Sequence, residues 1–125
     1  MFVIHMSRLI SYAIDKACQT PYKKGQQRHY AVITDKRGRV LAEGENSYTK
    51  TSPKMKRAGE RVGLPDKVFW HAECKAIYSL KEGAKAYKIV VVRVDSEGNP
   101  VHSAPCPLCQ ALIKEAGIKV VEYTV

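Results

Sequence analysis

Lys88-Ile89-Val90-Val91-Val92-Arg93-Val94 is the stretch around which the rest of the chain falls into order. Four consecutive branched aliphatic residues, with turn-forming residues on either side, read as the central strand of a sheet. Upstream, a helix is expected from about His71 to Glu82, stopped by Gly83. Downstream, Asp95 to Ala104 reads as a turn-rich loop and Cys106 to Ala116 as a helix stopped by Gly117. Ile118 to Tyr123 then reads as a final strand. Strand, helix and strand in that order imply a parallel pair joined by a right-handed crossover.

The front half adds the remaining elements. Ser7 is placed to cap a helix through about Thr20, whose Leu9, Ile10, Ala13, Ile14 and Ala17 form one apolar stripe ahead of the stop at Pro21. Tyr30 to Thr34 and Val40 to Glu43 flank Asp35-Lys36-Arg37-Gly38-Arg39, whose glycine marks a tight reversal, so these two runs read as a β-hairpin. After Asn46 a polar stretch leads to Ser52-Pro53, a cap and first-turn proline for a short basic helix ending near Gly63. The fold class expected is α/β: a three-layer α/β/α sandwich with a mixed sheet, formed by the whole of residues 1–125 as one domain.

Composition agrees with that size. The chain has 125 residues, 45% of them hydrophobic, enough to bury a core without disulfides. Its four cysteines do not space as a disulfide framework, since two form a metal-like pair and Cys18 and Cys74 fall on apolar helix faces. A reducing cytoplasm is the expected location. Met1 to Met6 lacks the basic start and cleavage site of a signal peptide, and no apolar run approaches the roughly 18 residues of a membrane span. The net charge of +9 is concentrated in the front half, with thirteen Lys/Arg against five Asp/Glu through Arg61 and eight against seven beyond it. Lys50, Lys54, Lys56, Arg57 and Arg61 form one cluster and Lys23, Lys24 and Arg28 another. Such clusters suit a phosphate-bearing partner, nucleotide or nucleic acid, although a solvated basic surface has the same composition.

The chemistry is carried by His71-Ala72-Glu73 and Pro105-Cys106-Pro107-Leu108-Cys109. His71, Cys106 and Cys109 supply three zinc ligands, and a catalytic zinc site needs three protein ligands with a fourth position left for water. One imidazole and two thiolates on zinc bring the water's pKa from about 16 towards roughly 7. Glu73 is the unliganded carboxylate able to carry protons to a ring nitrogen and a departing amine. Both segments read as helix starts, where the positive dipole ends favour anionic ligands. A rival arrangement uses Cys74, one turn after His71, as a fourth ligand that closes a structural site. That arrangement leaves Glu73 without a role, and Cys74 otherwise reads as a small buried packing residue.

His-x-Glu followed by Pro-Cys-x-x-Cys resembles the signature of the cytidine/deoxycytidylate deaminase superfamily, and the order of elements resembles its core along most of the chain. The resemblance implies His71, Cys106 and Cys109 as ligands of Zn2+ and Glu73 as proton shuttle. It also implies that Asn46 faces the substrate sugar. Ala72, Pro105 and His29 are further substrate-binding candidates, with His29, at the start of the first strand, placed to line a base pocket. From the residues alone, Asn46 is equally an ordinary strand end and His29-Tyr30 equally core, while Trp70 can stack on a base but Val68-Phe69-Trp70 reads more readily as packing under the insertion. Many members continue with another strand and helix, so the usual fifth strand is expected to be missing here and an open edge to be covered by homo-oligomerisation. The segment Ala111 to Tyr123 looks like the nucleotide-acting branch. Cys74-Lys75-Ala76 departs from the Asn-Ala that follows His-Ala-Glu in deoxycytidylate deaminases, and Pro107-Leu108 lacks the Met of many tRNA adenosine deaminases. The function implied is zinc-dependent hydrolytic deamination of a dCMP-like cytosine nucleotide. The alternatives are a deaminase of single-stranded nucleic acid or tRNA, and a non-catalytic zinc-stabilised binding module.

Overall fold

A computed structural model describes residues 7–64 and 69–125. The readings placed on Met1 to Met6 and on Val68 lie outside the described residues. In chain order the elements are α1 (Arg8–Gln19), β1 (Arg28–Thr34), β2 (Val40–Glu45), α2 (Pro53–Arg61), α3 (Ala72–Tyr78), β3 (Lys88–Val94), β4 (Pro100–Val101), α4 (Pro107–Glu115) and β5 (Val120–Tyr123). β1 lies between β2 and β3 and is antiparallel to both. On its other edge β3 pairs in parallel with β5 along Lys88–Val91 and antiparallel with β4 at Arg93 and Val94. The sheet is therefore mixed, as its sequence implied.

Alternation along the central strands sorts side chains into two layers, because successive residues of a strand face opposite sides. Val32, Val90, Val92 and Val94 face α1, which buries Ile10, Ala13 and Ala17 against them. Full burial of Ile10 contributes about 1.5–3 kcal/mol. Ala31, Ile33, Ile89 and Val91 face the opposite way, towards Ala72 and Ala76 of α3 and Ile113 of α4. α2 joins that second layer, packing Met55 and Ala58 with Leu108 and Leu112 of α4. Ser7 caps α1 by accepting from the Ile10 N–H at 3.1 Å, and Ser52 caps α2 by accepting from the Lys54 N–H at 3.2 Å.

Two close contacts fix the spacing of the site-bearing helices. Gly44 of β2 lies directly beneath α3: a Cβ built there would stand 2.8 Å from the Ala76 nitrogen and 2.9 Å from the Ala72 oxygen. Only a residue without a side chain lets strand and helix backbones approach this closely. At the other helix, Ser103 Oγ bonds the Val91 carbonyl at 2.8 Å and lies 2.7 Å from Thr124 Oγ1, tying the chain just before Cys106 to the sheet.

The structure corrects the sequence reading at Cys18, which is exposed on α1 and not on its apolar face, and in two further places. The motif helix ends at Tyr78, not near Glu82, because Ser79 caps it and donates its hydroxyl to the Lys75 carbonyl at 2.7 Å. Gly83, at φ 81°, serves the following turn. The third correction is a fifth strand inside the segment read as a loop. β4 is two residues long and leaves almost no pattern in the sequence, yet it fills the length of the β3 edge beyond β5.

Candidate metal and catalytic site

α3 and α4 begin beside one another. His71 and Cys106 are their N-cap residues, and neither side chain makes a capping bond to its own helix. Both are turned towards the space between the helices. His71 Nδ1 lies 3.5 Å from Cys106 Sγ and 3.4 Å from Cys109 Sγ, and the three ligand atoms all fall within 4.8 Å of one another. Tetrahedral zinc, with Zn–S of about 2.3 Å and Zn–N of about 2.0–2.1 Å, places its nitrogen and sulfur ligands roughly 3.5 Å apart. The donor set and its spacing thus fit that ion. Local sequence explains the placement: Pro107 starts α4 where its missing N–H costs nothing, and one helical turn then brings Cys109 alongside Cys106.

The charges at the cluster suit a divalent cation. Hydrogen bonding with Cys109 holds the Cys106 thiol down to about 3, with burial opposing and His71 assisting. Cys109 is pushed the other way, by Cys106 first and then by Cys74, burial and Glu73. One negative charge is accommodated readily and a second is resisted, which a bound dication reverses. Glu73, in the first turn of α3, is 6% exposed, and burial raises its carboxyl above the ordinary range, against the pull of its own backbone N–H and of His71. A carboxyl poised upward in this way is suited to proton transfer near neutral pH. Cys74 is fully buried and is not one of the three clustered ligands; its Sγ lies 3.1 Å from Cys109 Sγ.

A cavity of about 390 Å³ opens at this cluster, with His29, Asn46, Ala72, Glu73 and Cys106 among its walls. That volume is in the range of small-molecule sites. The Asn46 side chain accepts from the His29 N–H at 2.9 Å and donates to the Gln27 carbonyl at 2.9 Å, clasping the start of β1. The His29 ring is held neutral, its pKa lowered to about 4 by burial first and then by Arg93 and His71. Pro105 lies outside the cavity, on a separate groove between α4 and β5. Tyr30 points to the α1 face, donating to Glu43 Oε1 at 2.7 Å.

Trp70 borders the cavity and packs against Tyr78 at 5.9 Å between ring centroids. Sequence reasoning missed Gln27 and Ser103, which also border the cavity. The only signal for Ser103 was its position three residues ahead of Cys106.

The family described as the cytidine and deoxycytidylate deaminase zinc-binding region matches residues 5–125. The chain belongs to that family. The triplet His71, Cys106 and Cys109, whose ligand atoms could hold a metal ion, lies within the matched residues. Among solved structures, cytidine deaminase from Burkholderia pseudomallei is 21% identical, with a TM-score of 0.56 over 92% of this chain and 83% of its own. Guanine deaminase from Bacillus subtilis is 23% identical, with a TM-score of 0.53 over 94% of this chain and 64% of its own. Cytidine deaminase from Mycobacterium leprae is 19% identical, with a TM-score of 0.52 over 88% and 81%. At these identities the likeness establishes the shared α/β fold. No curated protein sequence matches the chain. Among the described residues no helix is long and apolar enough to cross a membrane.

Proposed function

We propose that this deaminase-family protein hydrolyses the exocyclic amine of a dCMP-like cytosine nucleotide, releasing ammonia and the uracil nucleotide. The observation that carries the reading is the open three-ligand cluster with the buried carboxyl of Glu73 at the same cavity. His71, Cys106 and Cys109 would hold zinc, which supplies a Lewis acid that makes water a nucleophile near neutral pH. Glu73 takes one proton from the attacking water and delivers it to the ring nitrogen, then takes the second from the hydroxyl now on the ring carbon and delivers it to the departing amine. Ala72 and His29 flank the base, and Asn46, fixed by its two backbone bonds, presents its remaining N–H to the sugar. The basic surface of Lys50 and α2 favours a phosphorylated substrate. A reducing cytoplasm and a homo-oligomer are part of the same reading.

One observation favours a polymeric substrate instead. Tyr48 and Phe69, 42% and 43% exposed, stand at the cavity rim, and exposed aromatic rings beside basic groups suit stacked single-stranded bases. The test incubates zinc-loaded protein with cytidine, dCMP, dCTP, guanine, single-stranded DNA and tRNA, and measures ammonia and the deaminated product. Turnover of dCMP alone supports the proposal. Turnover of polymer alone transfers it to the second reading, and zinc binding without turnover on any substrate leaves a binding module.

A further inference from the structure

Cys74 is a buried nucleophile for which the deamination has no use. Its sulfur is 3.1 Å from that of Cys109, nearer than the 3.4 Å separating Cys109 Sγ from His71 Nδ1. The two cysteines project from facing helices into one apolar pocket with Met55, Ala58 and Leu108. Disulfides form between cysteines whose Cβ atoms stand about 3.5–4.5 Å apart, and sulfurs already in contact need little movement to bond. We propose that Cys74 and Cys109 form a reversible disulfide that competes with zinc for Cys109, so that the metal centre is also a site of oxidative modification. The inference rests on the three-ligand reading of the site and is independent of the substrate.

The chemistry balances with a peroxide as oxidant. One thiolate attacks a peroxide oxygen, breaking the O–O bond to give a sulfenic acid and hydroxide or an alkoxide, which takes up the proton released when the thiol ionised; the second thiol then displaces the sulfenic hydroxyl as water, leaving the S–S bond. Once Cys109 is bonded to Cys74, the metal retains only His71 and Cys106, too few for a stable zinc site. A metal held by Cys109 conversely occupies the sulfur and protects it. Cys106 is the competing partner, because Cys-x-x-Cys pairs also oxidise.

The experiment first measures zinc bound per chain, then treats chelator-stripped and zinc-loaded protein with hydrogen peroxide. Intact mass, thiol alkylation and peptide mapping are the readouts. In the stripped protein the expected result is loss of two hydrogens, a Cys74–Cys109 link, and recovery of zinc binding after a dithiol reductant. Zinc-loaded protein should react more slowly, on the order of tenfold, with zinc release tracking the link. Cys74→Ser and Cys74→Ala should bind zinc normally and form no link to Cys109. A Cys106–Cys109 link, over-oxidation of Cys109 without a link, or an alkylatable Cys74 after peroxide would overturn the proposal. Failure of the untreated protein to bind zinc would strike the site reading itself.

Discussion

α3 and α4 open with the same device and put it to different ends. Each begins with a potential metal ligand at the N-cap, His71 or Cys106, unused for capping, and each carries a cysteine three residues later. In α4 both residues reach the metal cluster. In α3 only the first does, and Cys74 turns into the core against Cys109 while Glu73 borders the cavity. Spacing along a helix thus offers two ligands, but the partner helix decides how many are accepted. A site that took Cys74 would be closed, whereas three ligands leave a fourth position for water.

The comparison is broken most severely on the α4 side. Cys106→Ala and Cys109→Ala should each lose nearly all bound zinc, measured by metal analysis, with turnover falling about 10³-fold or more. Glu73→Gln should keep its zinc while losing about 10²–10⁴-fold in turnover. The same variant carries a stability signature in metal-free protein. Because burial raises the Glu73 carboxyl, the folded state is favoured fully below its ordinary pKa and loses that contribution as pH rises through the raised value. Thermal melts across pH should show the decline in wild type and its absence in Glu73→Gln.

Smaller effects sharpen the contrast. Gly44→Ala should cost about 1–3 kcal/mol in chemical denaturation, since the new Cβ meets fixed backbone atoms of α3. His29 acts with the opposite sign of pH from Glu73. Its lowered pKa makes its contribution complete above about 6.5 and lost as pH falls towards about 4. His29→Gln should therefore remove about 1–3 kcal/mol of acid sensitivity, the range allowing for solvent screening. Cys74→Ala should be the mildest change, with zinc content and turnover as in wild type and stability altered by about 1 kcal/mol. Zinc loss in that variant would mean that the two helices are equivalent after all.

Much of this is legible in the sequence. β3 was readable to the residue because seven apolar-rich positions lay between turn signals, and the caps Ser7 and Ser52 sit where hydroxyl chemistry places them. The metal triplet was legible because few other purposes bring His-x-Glu and Pro-Cys-x-x-Cys together. The early end of α3 was not, since it turns on one serine hydroxyl bonding back to Lys75, and a serine elsewhere in a helix carries the same letter. β4 was too short for any period to register. Nor could sequence separate Asn46 as a backbone clasp from Asn46 as a sugar contact, because one amide has donors and acceptors enough for both.

The bonds between Ser103 and Thr124 have a practical consequence. Thr124 follows β5 directly, and Ser103 lies three residues before Cys106. Whatever grips the polypeptide just past Tyr123, an affinity handle or a fusion joint, pulls on the same knot that delivers a sulfur to the ion. Attachments meant to leave the ligand cluster undisturbed should be kept away from Thr124.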